Sequence, residues 1–252
     1  MKNSILAFIA LCWFSSCTRD ELVPCDKYGG IQGNMCREYR FVNGSSVGYL
    51  EFEHKGDTAI FTSFYNENNV LQQTSVKRFE DGRINAIATQ FPDGPSLVQS
   101  WHYNELDSLS IIVFGANDSL IKVTYEEGQR VRETYSSDSV VSRYTRYQYF
   151  QADGVLFKVS DYNGKDSLLR YRILEDFSNG KKRINYFAGN NVNLGYRISD
   201  FSNSGLITSS EFRDATGIVT ETATYLYNAK DNLTERAETT ANSSSKSIFL
   251  YY

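Results

Sequence analysis

Aromatic residues recur along this chain at the pace of one strand and one turn. An aromatic residue opens a few polar positions containing Gly, Asp or Asn, usually followed by an aliphatic residue. The pattern is read at Phe64, Phe79, Phe91, Tyr103, Phe114, Tyr125, Tyr135, Phe150, Tyr162, Phe177, Phe187, Phe201, Phe212 and Tyr227. The thirteen steps range from 10 to 15 residues, span 163 positions and average 12.5. Connections this short suit hairpins and exclude the long crossovers that parallel strands need. Between turns the period is two: within 120–125, Ile121, Val123 and Tyr125 share one face, Lys122 and Thr124 the other, which is the strand signature. From about Arg37 onward no segment keeps a helical period. The expectation is an all-β antiparallel meander of about fifteen strands built from ~12-residue strand-turn repeats. An open sheet that wide curls or splits, so a curled sheet or barrel-like roll is expected. A lipid-facing barrel needs one apolar face on every strand, which Glu211, Arg213, Asp214, Arg143 and Arg146 fit badly.

Three units, Phe150-Gln-Ala-Asp-Gly-Val-Leu156, Phe79-Glu-Asp-Gly-Arg-Ile84 and Tyr227-Asn-Ala-Lys-Asp-Asn-Leu233, stand nearest a known pattern. They resemble the tyrosine–aspartate repeats of the RHS and YD family, which read aromatic, Asp or Asn, two residues, Gly, then an aliphatic. The resemblance runs from about Phe64 to Leu233. It implies a curved, repetitive sheet and nothing catalytic.

The N-terminus reads differently. Lys2 precedes an uninterrupted apolar run over 5–14, too short for the ~20 residues of a membrane-crossing helix and the right length for the core of a secretory signal. Phe14-Ser15-Ser16-Cys17 follows and resembles the lipobox of bacterial lipoproteins, with Phe14 where that family prefers an aliphatic residue. The resemblance implies a signal peptide over 1–16 and lipidation of Cys17; an ordinary signal peptide cut near Ser16 is the alternative. Thr18-Arg19-Asp20-Glu21 is similar to the lipoprotein export signal of Bacteroidota, which implies an outer-membrane protein anchored by lipid, facing the cell surface rather than the periplasm.

Two cysteines remain in such a mature chain, Cys25 and Cys36. An even pair in an exported chain reads as a disulfide, here closing a Gly-rich loop and stabilising by about 3 kcal/mol on the chain-entropy estimate. The chain thus divides into a signal peptide (1–16), a lipidated tether with its disulfide loop (17–36) and a β-meander repeat domain (37–252). A metal site needs four ligands, and His54 and His102 are the only histidines, so no metal and no cofactor are expected. The net charge of −4 is too acidic for a protein that holds nucleic acid by neutralising phosphates.

Five triplets read Asp, then Ser or Thr, then an aliphatic residue or Ala, placing hydroxyls at Thr58, Ser108, Ser119, Ser139 and Ser167. Residue frequencies alone would give about one. They resemble the O-glycosylation motif of exported Bacteroidota proteins, while Asp-Ser is also good turn chemistry.

Catalysis finds little support. There is no Gly-x-Ser-x-Gly elbow, and two histidines starve Ser–His–Asp chemistry. Glu126-Glu127 and Glu175-Asp176 are carboxylate pairs, but neighbours on a strand point to opposite faces. A glycoside hydrolase, with two carboxylates from distant strands, is the least unlikely enzyme. The aromatic load is the better hint: Trp101, Tyr103, Tyr147 and Tyr149 are candidates for stacking against a ligand, or for cross-strand packing. The sequence therefore points to a non-catalytic binding or scaffold module for a glycan or protein ligand. The alternatives are a periplasmic-facing immunity or envelope-assembly partner that uses a sheet edge, and the glycan-cleaving enzyme.

Overall fold

A computed structural model describes residues 33–105, 108–115, 119–126, 129–135, 140–150, 155–177 and 180–252. Cys17 and Cys25 lie outside these residues, as does Ser139. The elements are all strands: β1 (Met35–Val42), β2 (Ser45–Lys55), β3 (Ala59–Tyr65), β4 (Leu71–Glu80), β5 (Arg83–Gln90), β6 (Leu97–Tyr103), β7 (Leu109–Phe114), β8 (Ser119–Glu126) and β9 (Gln129–Tyr135). The chain continues through β10 (Val141–Tyr149), β11 (Leu156–Asn163), β12 (Leu168–Phe177), β13 (Lys181–Ala188), β14 (Asn193–Phe201), β15 (Ile207–Arg213), β16 (Val219–Tyr227), β17 (Leu233–Thr240) and β18 (Ser244–Tyr251).

The expected meander is present, with eighteen strands among the described residues against an expected count of about fifteen. Each of the fourteen recurring aromatics lies at, or within one residue of, the end of one strand, in order from Phe64 on β3 to Tyr227 on β16. The four remaining strands lie outside that register because their turns use other chemistry. β1 and β2 are joined by Asn43-Gly44, with φ of 49° and 80°, the double positive φ of a two-residue hairpin turn. β17 and β18 are joined through Thr240, whose N–H donates to the carbonyl of Ser243.

Six of the turns that follow an aromatic share one five-residue loop: 66–70, 163–167, 188–192, 202–206, 214–218 and 228–232. In each, the first N–H donates to the fifth carbonyl, and the fourth residue donates back to the first. That fourth residue is Asn69, Asp166, Asn191, Gly205, Gly217 or Asp231, all at positive φ, where Gly, Asn and Asp are least strained. In four loops the opening side chain (Asn66, Asn163, Asp214 or Asn228) also accepts the third and fifth N–H groups. The appearance of Asn or Asp soon after the aromatic in these four loops thus has a backbone cause. Asn228→Ala, which removes the acceptor for Lys230 and Asn232, is expected to lower stability by about 1 kcal/mol. Lys230→Ala, which removes none of these bonds, is the control; equal urea midpoints for the two would refute the loop's role.

Every strand pairs antiparallel with its neighbours in sequence, and the last returns to the first. β1 pairs with β2 through Tyr39↔Tyr49 and with β18 through Tyr39↔Ile248. β9 and β10 also pair, through Thr145↔Arg132. The circuit is extended beyond the strands by Gly33 donating to the carbonyl of Tyr252 and Tyr252 donating to that of Asn34, both at 3.0 Å. Each of the eighteen strands therefore has a hydrogen-bonded partner on both sides, an arrangement that removes sheet edges.

A ring this wide is not filled by its own side chains, and among the described residues only eight apolar side chains are buried. One face is nevertheless the more sheltered. Along β16, Glu221, Ala223, Tyr225 and Tyr227 are covered in whole or part while Thr220, Thr222, Thr224 and Leu226 are exposed. In the row Ser199–Ser210–Ala223, which crosses β14, β15 and β16, every residue is buried. Followed through the register, the same face carries the apolar cluster of Ile112, Ile121 and Val123, flanked by Trp101, Leu109 and Phe114. It also carries the ion pairs Arg197–Glu221, Arg236–Glu238 and Arg40–Glu38. The opposite face carries Arg37–Glu51, Arg213–Glu211, Lys181–Asp200 and Lys246–Glu235. Among the described residues both faces thus carry charged pairs, which a continuous lipid-facing apolar belt would not.

Rings packed across strands account for much of the aromatic content. Tyr39, Tyr49 and Tyr65 follow one another across β1–β3 with centroids 5.6 and 5.0 Å apart, and Arg37 lies 5.4 Å from the Tyr49 centroid. Tyr144 and Tyr162 stack at 4.7 Å, Tyr171 and Phe187 at 4.8 Å. Each such pair adds about 0.2–1 kcal/mol to the sheet.

Candidate functional site

A concavity opens over β11–β14, with Asp161, Arg170, Arg172 and Tyr186 on the sheltered face. It is a cleft of about 130 Å³ lined by Val159, Asp161, Arg170, Tyr171, Arg172, Tyr186, Phe187 and Leu194. Strand alternation puts Arg170 and Arg172 on one face of β12. The register sets Asp161 between Thr145 and Arg170, and Arg172 between Val159 and Tyr186. On β14 the position opposite Tyr186 is Gly195, so no side chain covers that end. The pairing slips by one residue here, between Tyr186 and Phe187, which places Leu194 at the rim.

Asp161 is engaged through both carboxylate oxygens. It accepts a hydrogen bond from Thr145 Oγ1 at 2.7 Å and another from Arg170 Nε at 2.7 Å. Burial by itself would raise the Asp161 carboxyl, but the bonds from Arg170 and Thr145 and the charges of Arg170 and Arg172 outweigh it and hold it below 3.8. A depressed carboxyl stabilises the fold above its ordinary value, and that contribution is lost as pH falls through the lower, folded value. Urea unfolding from about pH 5 to about pH 2 is therefore expected to show a loss of stability below 3.8 that Asp161→Asn makes shallower; an unchanged slope would contradict the pairing. Asp200, held low by Lys181, behaves in the same sense.

Arg172 differs from Arg170. Its charge bears on Asp161, but no hydrogen bond or ion pair holds its guanidinium among the described residues. Two cations therefore face one carboxylate, leaving a net positive cleft in a chain of net charge −4. The walls beside Arg172 are the aliphatic Val159 and Leu194 and the Tyr186 ring, which packs edge-on against Phe212 at 5.6 Å. Arg197 lies 5.8 Å from the Phe212 centroid and is tied to Glu221 and, at 3.2 Å, to Ser210. Burial lowers the Arg197 pKa, and Glu221 with Tyr186 more than restores it. The cleft's far wall is thus held in place.

The residues singled out from sequence are dispersed. Trp101 and Tyr103 lie on β6, Tyr147 and Tyr149 on β10, with β7–β9 between them. Trp101 packs on the Ile112–Ile121–Val123 cluster. The Tyr103 hydroxyl donates to the carbonyl of Ile84 at 2.9 Å, with Arg83 5.7 Å from its ring. Tyr147 and Tyr149 are partly covered. None of the four lines the cleft.

Of the candidate glycosylation residues, Thr58 and Ser167 are exposed in turns and Ser108 is partly covered. Thr58 Oγ1 donates to the carbonyl of Lys55 at 2.8 Å, and the N–H groups of Ser108 and Ser167 donate to Asn104 and Asn163. Ser119 opens β8. Cys36 is buried within β1, 4% exposed. No group of three or more His, Cys, Asp or Glu side chains suited to a metal occurs among the described residues.

Arg172 and Tyr186 were missed by sequence reasoning. The available signal was Arg-x-Arg on a strand, with both cations on one face and a single acid opposite.

No family model matches the chain, and no curated protein matches it. Among solved structures it is similar to a porin-like protein from Bacteroides uniformis, at 11% identity over 88% of this chain and 98% of that one, with a TM-score of 0.49. A second porin-like protein, from Bacteroides vulgatus, matches at 11% identity over 86% of this chain and 98% of that one, with a TM-score of 0.31. A chain of the TcdB2–TccC3–Cdc42 structure matches at 10% identity over 83% of this chain but 16% of its own length, with a TM-score of 0.33. Likeness at this level transfers no function.

Proposed function

We propose that this chain is a non-catalytic lipoprotein of the outer membrane, anchored through Cys17, that uses its strand ring as a binding or scaffold module for a glycan or protein ligand. The observation that carries the binding reading is the cleft: an uncommitted guanidinium beside an aromatic ring and two aliphatic side chains. Among the cleft residues Asp161 is the one carboxylate, and it is already committed to Arg170 and Thr145. A glycosidase works with two, so the site suits holding a ligand rather than cleaving it.

The apolar run, the lipobox-like Phe14-Ser15-Ser16-Cys17 and the charged residues after it support export and anchoring. A Cys25–Cys36 disulfide would pin the tether to β1. The likeness of the aromatic-turn units to tyrosine–aspartate repeats supports reading the ring as a rigid display surface, and modification at Thr58, Ser108 or Ser167 would decorate its turns. The periplasmic alternative would use a sheet edge for a partner strand; among the described residues each strand is paired on both sides.

Protease shaving of intact cells tests the placement, with Cys17→Ala as the control. Digestion in whole cells, and release of the Cys17→Ala chain from the membrane fraction, are expected. Protection until the outer membrane is permeabilised would replace the surface reading with the periplasmic one.

A further inference from the structure

We infer that the cleft over β11–β14 binds one acidic sugar residue, a uronate, of a longer glycan, with Arg172 as the carboxylate receptor. The inference rests on the binding-module reading and names its ligand class.

Three features of the cleft converge on this chemistry. The first is charge. Arg170 is held by Asp161 at 2.7 Å, so its charge is matched, while Arg172 offers a guanidinium fork without an acceptor among the described residues. A guanidinium pairs with a carboxylate through two parallel hydrogen bonds, a geometry that selects a planar anion. The second is the remaining polar capacity. Asp161 uses two acceptor positions on Thr145 and Arg170, and an ionised carboxylate has about four. The others suit hydroxyl donors, so the ligand should carry hydroxyl groups as well as an anion. The third is shape. Val159 stands on one side of Arg172 and Tyr186 with Leu194 on the other, and the Tyr186 ring beside Leu194 suits the C–H face of a pyranose ring.

Size and topology separate this ligand from others. At about 130 Å³ the cleft is well below the ~300–1,000 Å³ that encloses a drug-sized ligand. It takes one ring and leaves the rest of a chain in solvent. A peptide would most readily add as a strand to a sheet edge, and the closed pairing gives it none.

The test is titration of the purified full chain with galacturonate, tri-galacturonate, galactose, acetate and a short acidic peptide, read from the methyl resonances of Val159 and Leu194. Galacturonate and tri-galacturonate should shift both resonances saturably, and galactose should not. Arg172→Gln should weaken galacturonate binding about tenfold or more, with only a small fall in melting temperature, because among the described residues its side chain holds no hydrogen bond and contributes to the fold only through its charge on Asp161. Equal binding of galactose, equal binding of acetate or the acidic peptide, insensitivity to Arg172→Gln, or no saturable shift would each overturn the assignment. Neutral glycans binding elsewhere with these methyls silent would also overturn it while leaving the surface-module reading intact. Galacturonate binding by a chain that resists shaving would overturn the surface placement instead.

Discussion

Gly195→Ala should unfold at much lower urea than the wild-type chain, losing about 3 kcal/mol or more. Gly195 has φ of +119°, and a Cβ there would press into the backbone oxygen of Arg213 while standing 3.0 Å from Phe212 Cζ. The first partner is the carbonyl of a paired strand, which moves only if the register between β14 and β15 moves with it. Gly217 gives the comparison: its φ is +89°, yet nothing lies within 4 Å of an added Cβ. Gly217→Ala therefore meets only the left-handed backbone cost of about 1–2 kcal/mol. For a domain of this size the Gly195 loss corresponds to roughly 6–12 °C in melting temperature. Equal losses for the two variants would show that the close approach at Gly195 does not set the cost. Because Gly195 faces Tyr186 and adjoins Leu194, its substitution should also weaken any ligand held in the cleft.

Opening the ring should be more damaging still. Truncation after Asn242 removes β18, and with it the pairing to both β1 and β17. It also removes the Tyr251 hydroxyl bond to the carbonyl of Leu233 at 2.7 Å and the Lys246–Glu235 pair at 2.7 Å. Two bare strand edges would result, and such edges template association. The truncated chain is expected to form larger species on size exclusion and to lose its cooperative melt. Ile248→Pro is the gentler version. Ile248 is paired with Tyr39 on one side and Glu235 on the other, and proline in a doubly paired strand disrupts the ladder, at a cost of about 3 kcal/mol or more. A monodisperse truncation with an unaltered melt would mean that closure contributes little to stability.

The strand ends were legible because they are local. An aromatic residue followed by Asn or Asp, then a residue that accepts positive φ, is a short-range instruction, and Phe212 to Ile218 carries all of it. The β1–β2 hairpin was equally local at Asn43-Gly44, but it lacks the aromatic and fell outside the count. A roll follows from the sheet's width, but which strands close it was not legible. Tyr39 meets Ile248 across almost the whole chain, and nothing within either strand names the other. The cleft was hidden for a related reason. Asp161, Arg170, Arg172 and Tyr186 look like ordinary polar strand residues until the register aligns three strands. Conversely, Trp101 reads as a display residue in the sequence because its apolar support, Ile112 and Ile121, arrives from the next two strands.

The antiparallel seam between β1 and β18 has a consequence for how such a chain can vary in length. In an up-and-down circuit the first and last strands run in opposite directions only when the number of strands is even. Adding or losing a single 12-residue unit would bring the two ends together in the same direction, and the seam's alternating hydrogen bonds would no longer match. Related chains of this architecture should therefore differ by whole hairpins, in steps of about 25 residues, twice the strand-and-turn unit. Each added hairpin would widen the circumference without rewriting a single turn, so girth in this design is counted in pairs.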